Sequence, residues 1–200
     1  MIPKKIHCAW FGGNEKSERM QKIMSTWKVL TDAGYEIKEW TEKDPELWDY
    51  LMNNKYAKGA YEAKKWAFVS DVARQWVLFK YGGIFTDTDV SFYKPLDEFL
   101  QEPAFTCFEG PHYPVNAVMG AEPGNPIIKQ MLEYYDDKEF EYVPYPNMIT
   151  NTMIMSDILA KNGVDRDSMQ EQHVPHFTIY PQEYFMSEEG YAKHHFTGSW

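Results

Sequence analysis

Cysteine is scarce: Cys8 and Cys107 are the only 2 in 200 residues. They sit in separate apolar stretches without the close spacing of a zinc site or a disulfide framework, which fits a reducing compartment and a cytoplasmic protein. Long apolar runs are missing too. Nothing approaches the roughly 18 residues that a membrane-spanning helix needs, and Met1 to Phe11 lacks the apolar stretch and small-residue cleavage site of a signal peptide. Contact with a membrane is therefore expected to be peripheral, at its inner face. Basic residues are outnumbered, with 20 Lys and Arg against 30 Asp and Glu and a formal charge of -10. This excludes a nucleic-acid partner, whose phosphates select clustered cations. An anionic ligand would then depend on a bound cation or on a few local basic groups.

Apolar and aromatic residues are plentiful. A hydrophobic content of 44% supports one sizeable core, and 7 Trp with 14 Tyr permit a sugar or nucleotide platform without requiring one. Strand-like and helix-like segments alternate, the pattern of an α/β sheet. Ile6 to Phe11 reads as a strand ended by Gly12-Gly13. Met20, Ile23, Met24, Trp27 and Leu30 then follow helical spacing up to Gly34. Tyr35 to Trp40 is a second strand, and Asp44-Pro45 opens a helix through about Leu51. A long helix is expected from Tyr61 to Tyr81, stopped by Gly82-Gly83. Strands follow at Ala104–Phe108 and Val115–Met119, helices from Asn125-Pro126 and over Asn151–Lys161, and one last strand over Val174–Tyr180.

The most informative segment is Tyr81-Gly82-Gly83-Ile84-Phe85-Thr86-Asp87-Thr88-Asp89. A short apolar run ends in two carboxylates with one residue between them. In an extended chain such residues share a face about 6–7 Å apart, close enough to serve one divalent cation. Mg²⁺ and Mn²⁺ take oxygen ligands and keep positions open for phosphate oxygens. The plainer alternative is two solvated acids where a strand runs out. Upstream, Asp71 and Arg74 share one face of a mostly apolar helix, where unpaired burial of either charge is costly. They could pair with each other on the surface, or bind hydroxyls and a phosphate. At the far end, His194-His195-Phe196-Thr197-Gly198-Ser199-Trp200 offers imidazoles, a hydroxyl and an indole. One imidazole could complete a metal shell and the Trp200 N–H could reach a phosphate oxygen. Trp10, ahead of Phe11-Gly12-Gly13, is either a core residue or a stacking surface.

Three ordered blocks resemble the sugar transferases with the DXD motif, which include bacterial capsular polysaccharide transferases and Och1-type mannosyltransferases. They are Ile2-Pro3-Lys4-Lys5-Ile6-His7 with Trp10-Phe11-Gly12-Gly13; Ala63 to Asp71 with Ala73-Arg74; and Tyr81-Gly82-Gly83-Ile84 with Asp87-Thr88-Asp89-Val90. The resemblance resumes at Asn116 to Ala121 and in the closing His195-Phe196-Thr197-Gly198-Ser199-Trp200; between Glu133 and Glu189 there is little. It implies a GT-A fold, a Rossmann-like mixed central sheet flanked by helices, as one catalytic domain over 1–200. Residues 1–97 would form the nucleotide-sugar half, and 98–200 the acceptor side with a segment that closes over the metal. It also implies Mn²⁺ or Mg²⁺, a UDP- or GDP-sugar donor, a glycan or lipid-linked glycan acceptor, retention of anomeric configuration and a role in surface polysaccharide synthesis.

Carried over residue by residue, the resemblance makes Trp10 the base-stacking residue and gives the donor's sugar and phosphates to Asp71 and Arg74. Asp87 would contact the ribose or sugar and the metal, Asp89 would bind the metal, and His195 rather than His194 would complete its shell. Asn116 would face the donor sugar, with Ser199 and Trp200 near the diphosphate. Thr86 and Thr88 depart from the bulkier apolar residues also common around the acids. Two other classes stay open on the residues alone. One is a phosphohydrolase with Asp87 as nucleophile, although no downstream lysine and acidic pair presents itself; the other is a non-catalytic sugar-binding module.

Overall fold

A computed structural model describes residues 1–144 and 147–197, apart from the side chains of Val115 and Asn116. Strand β1 (Lys5–Ala9) pairs in parallel with β2 (Glu36–Trp40) on one side and with β3 (Gly83–Thr86) on the other. Antiparallel β6 (Tyr113–Ala121) separates β3 from β5 (Ala104–Gly110), and β8 (Phe177–Tyr180) with β7 (Gln172–Val174) completes the sheet in the order β2-β1-β3-β6-β5-β8-β7. Strands from before and after residue 97 thus share one mixed sheet. A two-stranded ribbon joins β4 (Val90–Phe92) to β9 (Ala192–His194).

The sheet carries an apolar layer on each face, and β3 serves both: Phe85 packs into the layer holding Val69, Val72, Val77 and Ile128, while Ile84 packs opposite with Ile6, Trp27, Leu30 and Phe105. Continuous burial along β3 is the signature of a strand covered on both faces. On the first face lie α3 (Pro45–Asn53), α4 (Lys55–Glu62), α5 (Trp66–Tyr81), α6 (Pro126–Glu133) and α7 (Asn151–Lys161). The chain leaves β1 for β2 and then returns to put β3 on the far side of β1. Strand order reverses there, and such a reversal opens a crevice outside the carboxyl ends of the two strands.

Gly82 and Gly83 make the abrupt passage from α5 into β3, both with positive φ (63° and 95°). A Cβ on Gly83 would lie 2.8 Å from Nε2 of His7 and 2.9 Å from the Lys5 carbonyl oxygen. His7 is itself locked: the Trp40 indole donates to Nδ1 (3.2 Å), so Nε2 carries the proton and donates to the Gly82 carbonyl (3.1 Å). Burial pushes this imidazole down to about 4, so it stays neutral and structural. Gly83→Ala should lower stability by about 2 kcal/mol in chemical denaturation, from backbone strain and the clash together; an unchanged midpoint would contradict this reading of the turn.

Three expectations need correction. The helix expected over Tyr61 to Tyr81 is two helices, because Lys64 adopts φ 58° and ends α4, so that α5 starts only at Trp66. The apolar periodicity runs through the break and hides it. The helix before Gly34 likewise divides into α1 (Glu18–Ser25) and α2 (Lys28–Asp32) at Thr26, whose hydroxyl donates to the Ile23 carbonyl and accepts from Phe92 N–H. Val174 to Tyr180 is a hairpin rather than one strand, turning at Pro175 and His176, the latter with φ 68°.

Candidate functional site

The crevice beyond β1 and β3 is a cavity of about 1020 Å³. Its floor is the carboxyl end of β3, where Asp87 N–H donates to the Ala117 carbonyl of β6 (2.9 Å) and the carboxylate projects into the cavity. Arg74, three residues beyond Asp71 on α5 and 2% exposed, binds Asp87 Oδ1 through Nη2 while its guanidinium lies 5.1 Å from the centre of the Phe85 ring. The two charges expected on one helix face are thus not a surface pair: Arg74 turns to Asp87. Asp71 instead accepts a hydrogen bond from Asn151 Nδ2 at the start of α7 (3.0 Å). Burial pushes the Asp71 carboxyl up to about 6, against the opposing pull of Arg74 and Asn151. Asp87 is raised by burial in the same way, again against Arg74.

Asp89 has a different environment. Burial would raise it, but hydrogen bonds from His194 and Thr197 outweigh that and hold its carboxyl well below the usual range. His194 Nε2 lies 3.2 Å from Asp89 Oδ1 and 4.0 Å from Asp87 Oδ2, and Thr197 donates both its N–H and its hydroxyl to Asp89 Oδ2 at 2.9 Å. Burial lowers the His194 imidazole, yet the neighbouring acids more than reverse this, so its net direction is upward. One ligand atom from each of Asp87, Asp89 and His194 falls within 4.8 Å of the others, a set of two carboxylates and an imidazole suited to a first-row or alkaline-earth divalent cation. The residues present therefore fit a metal.

His195 does not join this set. Successive residues of β9 face opposite sides; Lys193 pairs with Ser91, and His195, on that same face, places Nε2 2.8 Å from Ser91 Oγ. His194 takes the other side, towards the acids. The structure thus brings His194 to the two acids and sets His195, the imidazole expected there, against Ser91.

Of the other expected residues, Trp10 lines the cavity with its indole donating to the Asn14 carbonyl (2.6 Å) and the Lys16 ammonium 4.8 Å from its ring centre. Gly12 (φ 85°) permits this loop to pass the Trp66 indole, which a Cβ there would meet at 2.5 Å. Asn116 lies in β6, its side chain outside the described residues, as are Ser199 and Trp200 altogether. Thr86 is fully buried and Thr88 faces the cavity. Sequence reasoning missed Asn151 and Glu109. Asn151 was read only as the start of a helix. Glu109 lines the cavity from β5, its carboxyl raised by burial against the pull of His194, and nothing in its local sequence marked it.

Comparison with known proteins follows the same lines. Residues 17–106 match the family model described as the glycosyltransferase sugar-binding region containing the DXD motif. Inositol phosphoceramide mannosyltransferase 3 of Schizosaccharomyces pombe is 27% identical over 210 aligned positions, covering 100% of this chain and 56% of its own. Mannosyl phosphorylinositol ceramide synthase CSH1 of Saccharomyces cerevisiae is 34% identical over 159, covering 76% of this chain and 40% of its own. The chain thus spans about half the length of the curated relatives it matches. Two glycosyltransferase structures share the fold: PaToxG (TM-score 0.57, 17% identity, 80% of this chain and 68% of that one), and one involved in glycosylating the major capsid of PBCV-1 (0.51, 14%, 98% and 95%). The expected GT-A architecture is borne out.

Proposed function

We propose that the chain, whose residues 17–106 match the DXD-containing sugar-binding region of glycosyltransferases, transfers a sugar from a nucleoside-diphosphate donor, with retention, to a lipid-linked acceptor. The observation that carries this is the convergence of Arg74, Asp87, Asp89 and His194 at the carboxyl end of β3 in one cavity. Mn²⁺ or Mg²⁺, held by Asp87, Asp89 and His194, would offset the negative charge that builds on the departing diphosphate. Arg74, fixed under Phe85, adds a buried cation on the same side. Asp71 and Asp87 accept hydrogen bonds from donor hydroxyls, and Trp10 supplies an aromatic face for the base. Thr197 keeps one oxygen of Asp89 engaged and so fixes the rotation of that carboxylate.

The lipid-linked acceptor rests on two supports. The named relatives are an inositol phosphoceramide mannosyltransferase and a mannosyl phosphorylinositol ceramide synthase, and three exposed apolar side chains, Tyr113, Met153 and Phe196 (40%, 40% and 53%), stand among the cavity's lining residues. These favour a glycolipid over capsular polysaccharide as the product. The chain's net charge of -10 argues against docking on an anionic lipid surface, so the rim would meet the acceptor's apolar part.

Incubation with Mn²⁺ and a panel of UDP- and GDP-sugars, with an inositol-phosphoceramide acceptor, should release nucleoside diphosphate, and EDTA should stop it. Absence of release with every donor and either cation would refute the proposal, and a trapped aspartyl-phosphate would replace it with a phosphohydrolase. His194→Ala should weaken Mn²⁺-dependent activity by at least about 10–100-fold, since loss of even an outer-shell partner of a metal site costs that much. His195→Ala should stay within about threefold, since its partner is Ser91; the reverse order would return the ligand role to His195.

A further inference from the structure

Asn151 is the buried polar residue of the cavity wall that the reading above leaves without a task. It is 7% exposed, lines the cavity and makes two side-chain hydrogen bonds that fix its amide. An ionised Asp71 can only accept, so the Asn151 Nδ2–H₂ group must be the part that faces Asp71 Oδ1, at 3.0 Å. The amide oxygen is then left to accept from the Tyr135 hydroxyl, at 3.4 Å. Tyr135 is itself 1% exposed, and its main-chain carbonyl accepts from Asn54 Nδ2 (3.1 Å). A relay therefore runs from the packed junction of α4 and α6 through α7 to a carboxylate on α5.

This relay holds one oxygen of Asp71 and leaves the other for a ligand. The Arg74 guanidinium favours the charged form of Asp71 through space, while its ion pair is with Asp87. An acceptor oxygen of set direction beside a phosphate-side cation is what distinguishes one sugar's hydroxyl pattern from another's, because a donor lacking that hydroxyl leaves a buried acceptor unpaired.

Resting on the glycosyltransferase reading, we infer that Asn151 is a positioning residue for donor specificity: oriented by Tyr135, it aims the Asp71 carboxylate at a hydroxyl of the transferred sugar. The nucleotide end, at Trp10 and the Asp87–Asp89–His194 group, does not depend on it. Asn151 thus acts on the sugar and not on the diphosphate.

The test compares binding of GDP with GDP-mannose, and of UDP with UDP-glucose, by calorimetry in Mn²⁺. The wild type should bind one nucleotide sugar more tightly than its bare diphosphate. Asn151→Ala should keep the diphosphate affinity within about twofold but lose about tenfold on the nucleotide sugar, the size of one hydrogen bond to a charged group. Tyr135→Phe, which keeps the ring in the core, should lose an intermediate amount, and Asn151→Asp, which sets a second carboxylate against Asp71, should lose the most. Unfolding of each metal-free variant checks that the site still forms. A full sugar increment in Asn151→Ala and Tyr135→Phe would overturn the inference while leaving the glycosyltransferase reading intact, as would an equal loss on diphosphate and nucleotide sugar. A wild type that binds no nucleotide with any cation would overturn both.

Discussion

Asp89→Ala should lower turnover with any nucleotide sugar by about a thousandfold or more and erase the Mn²⁺-dependent rise in melting temperature that a nucleoside diphosphate produces in the wild type. The magnitude follows from losing several kcal/mol of charge stabilisation at the departing diphosphate. Asp89 is the acid most firmly kept ionised: His194 and Thr197 both favour its charged form, whereas burial raises Asp71 and Asp87. It is therefore the residue best suited to meet a cation at neutral pH. Asp89→Asn separates two roles, because an amide oxygen can still accept from Thr197 but supplies no charge. If Asn restores the apo melting temperature but not the Mn²⁺ effect, the charge is what matters. A Mn²⁺-dependent shift that survives in Asp89→Ala would remove this residue from the metal site.

Arg74→Met should be the most destabilising single change at the site. Breaking a buried pair leaves an uncompensated charge and costs about 3–5 kcal/mol. The lower end, about 3 kcal/mol, is expected here because the Asp87 side chain keeps 32% exposure. The loss should depend on pH in a defined sense. Burial already raises Asp71 to about 6 and raises Asp87, so folding favours their protonated forms and loses that contribution as pH rises through the folded values. Without Arg74 both acids rise further. The variant should therefore sit closest to the wild type near pH 5 and fall furthest behind at pH 7.5, as read by urea denaturation at the two pH values. A deficit independent of pH would mean that packing against Phe85, not charge, is what Arg74 supplies. Activity should fall as well, since on the proposed reading the same guanidinium would face the diphosphate.

Much of the architecture can be read along the chain. Asn125 ahead of Pro126 does cap α6, its side-chain oxygen accepting from Ile127 and Ile128 N–H, and Asn151–Lys161 is helical over the expected range. Gly82-Gly83 ends α5 and opens the strand that carries the acids. These features are legible because caps, proline at a first turn and paired glycines act within a few residues of themselves. The break at Lys64 is not, since a single residue with positive φ leaves the apolar spacing around it intact. The segment after Glu133 looked mute for a related reason. Asn151 has no motif around it, and its meaning comes from Asp71, 80 residues away.

The sequence by itself determined the acids at the end of an apolar strand, the helix that carries Asp71 and Arg74, and the alternating α/β order, because each depends on local spacing and on where buried backbone must end. Only the tertiary structure decided the partners. Pairing of β4 with β9 chose His194 over His195 through the two-residue period of a strand, and the crossing of α5 over β3 gave Arg74 to Asp87 and left Asp71 to Asn151. Both choices turn on which face a side chain takes against a distant segment. Local sequence restricts that face, but only packing of the whole sheet selects the neighbour that meets it.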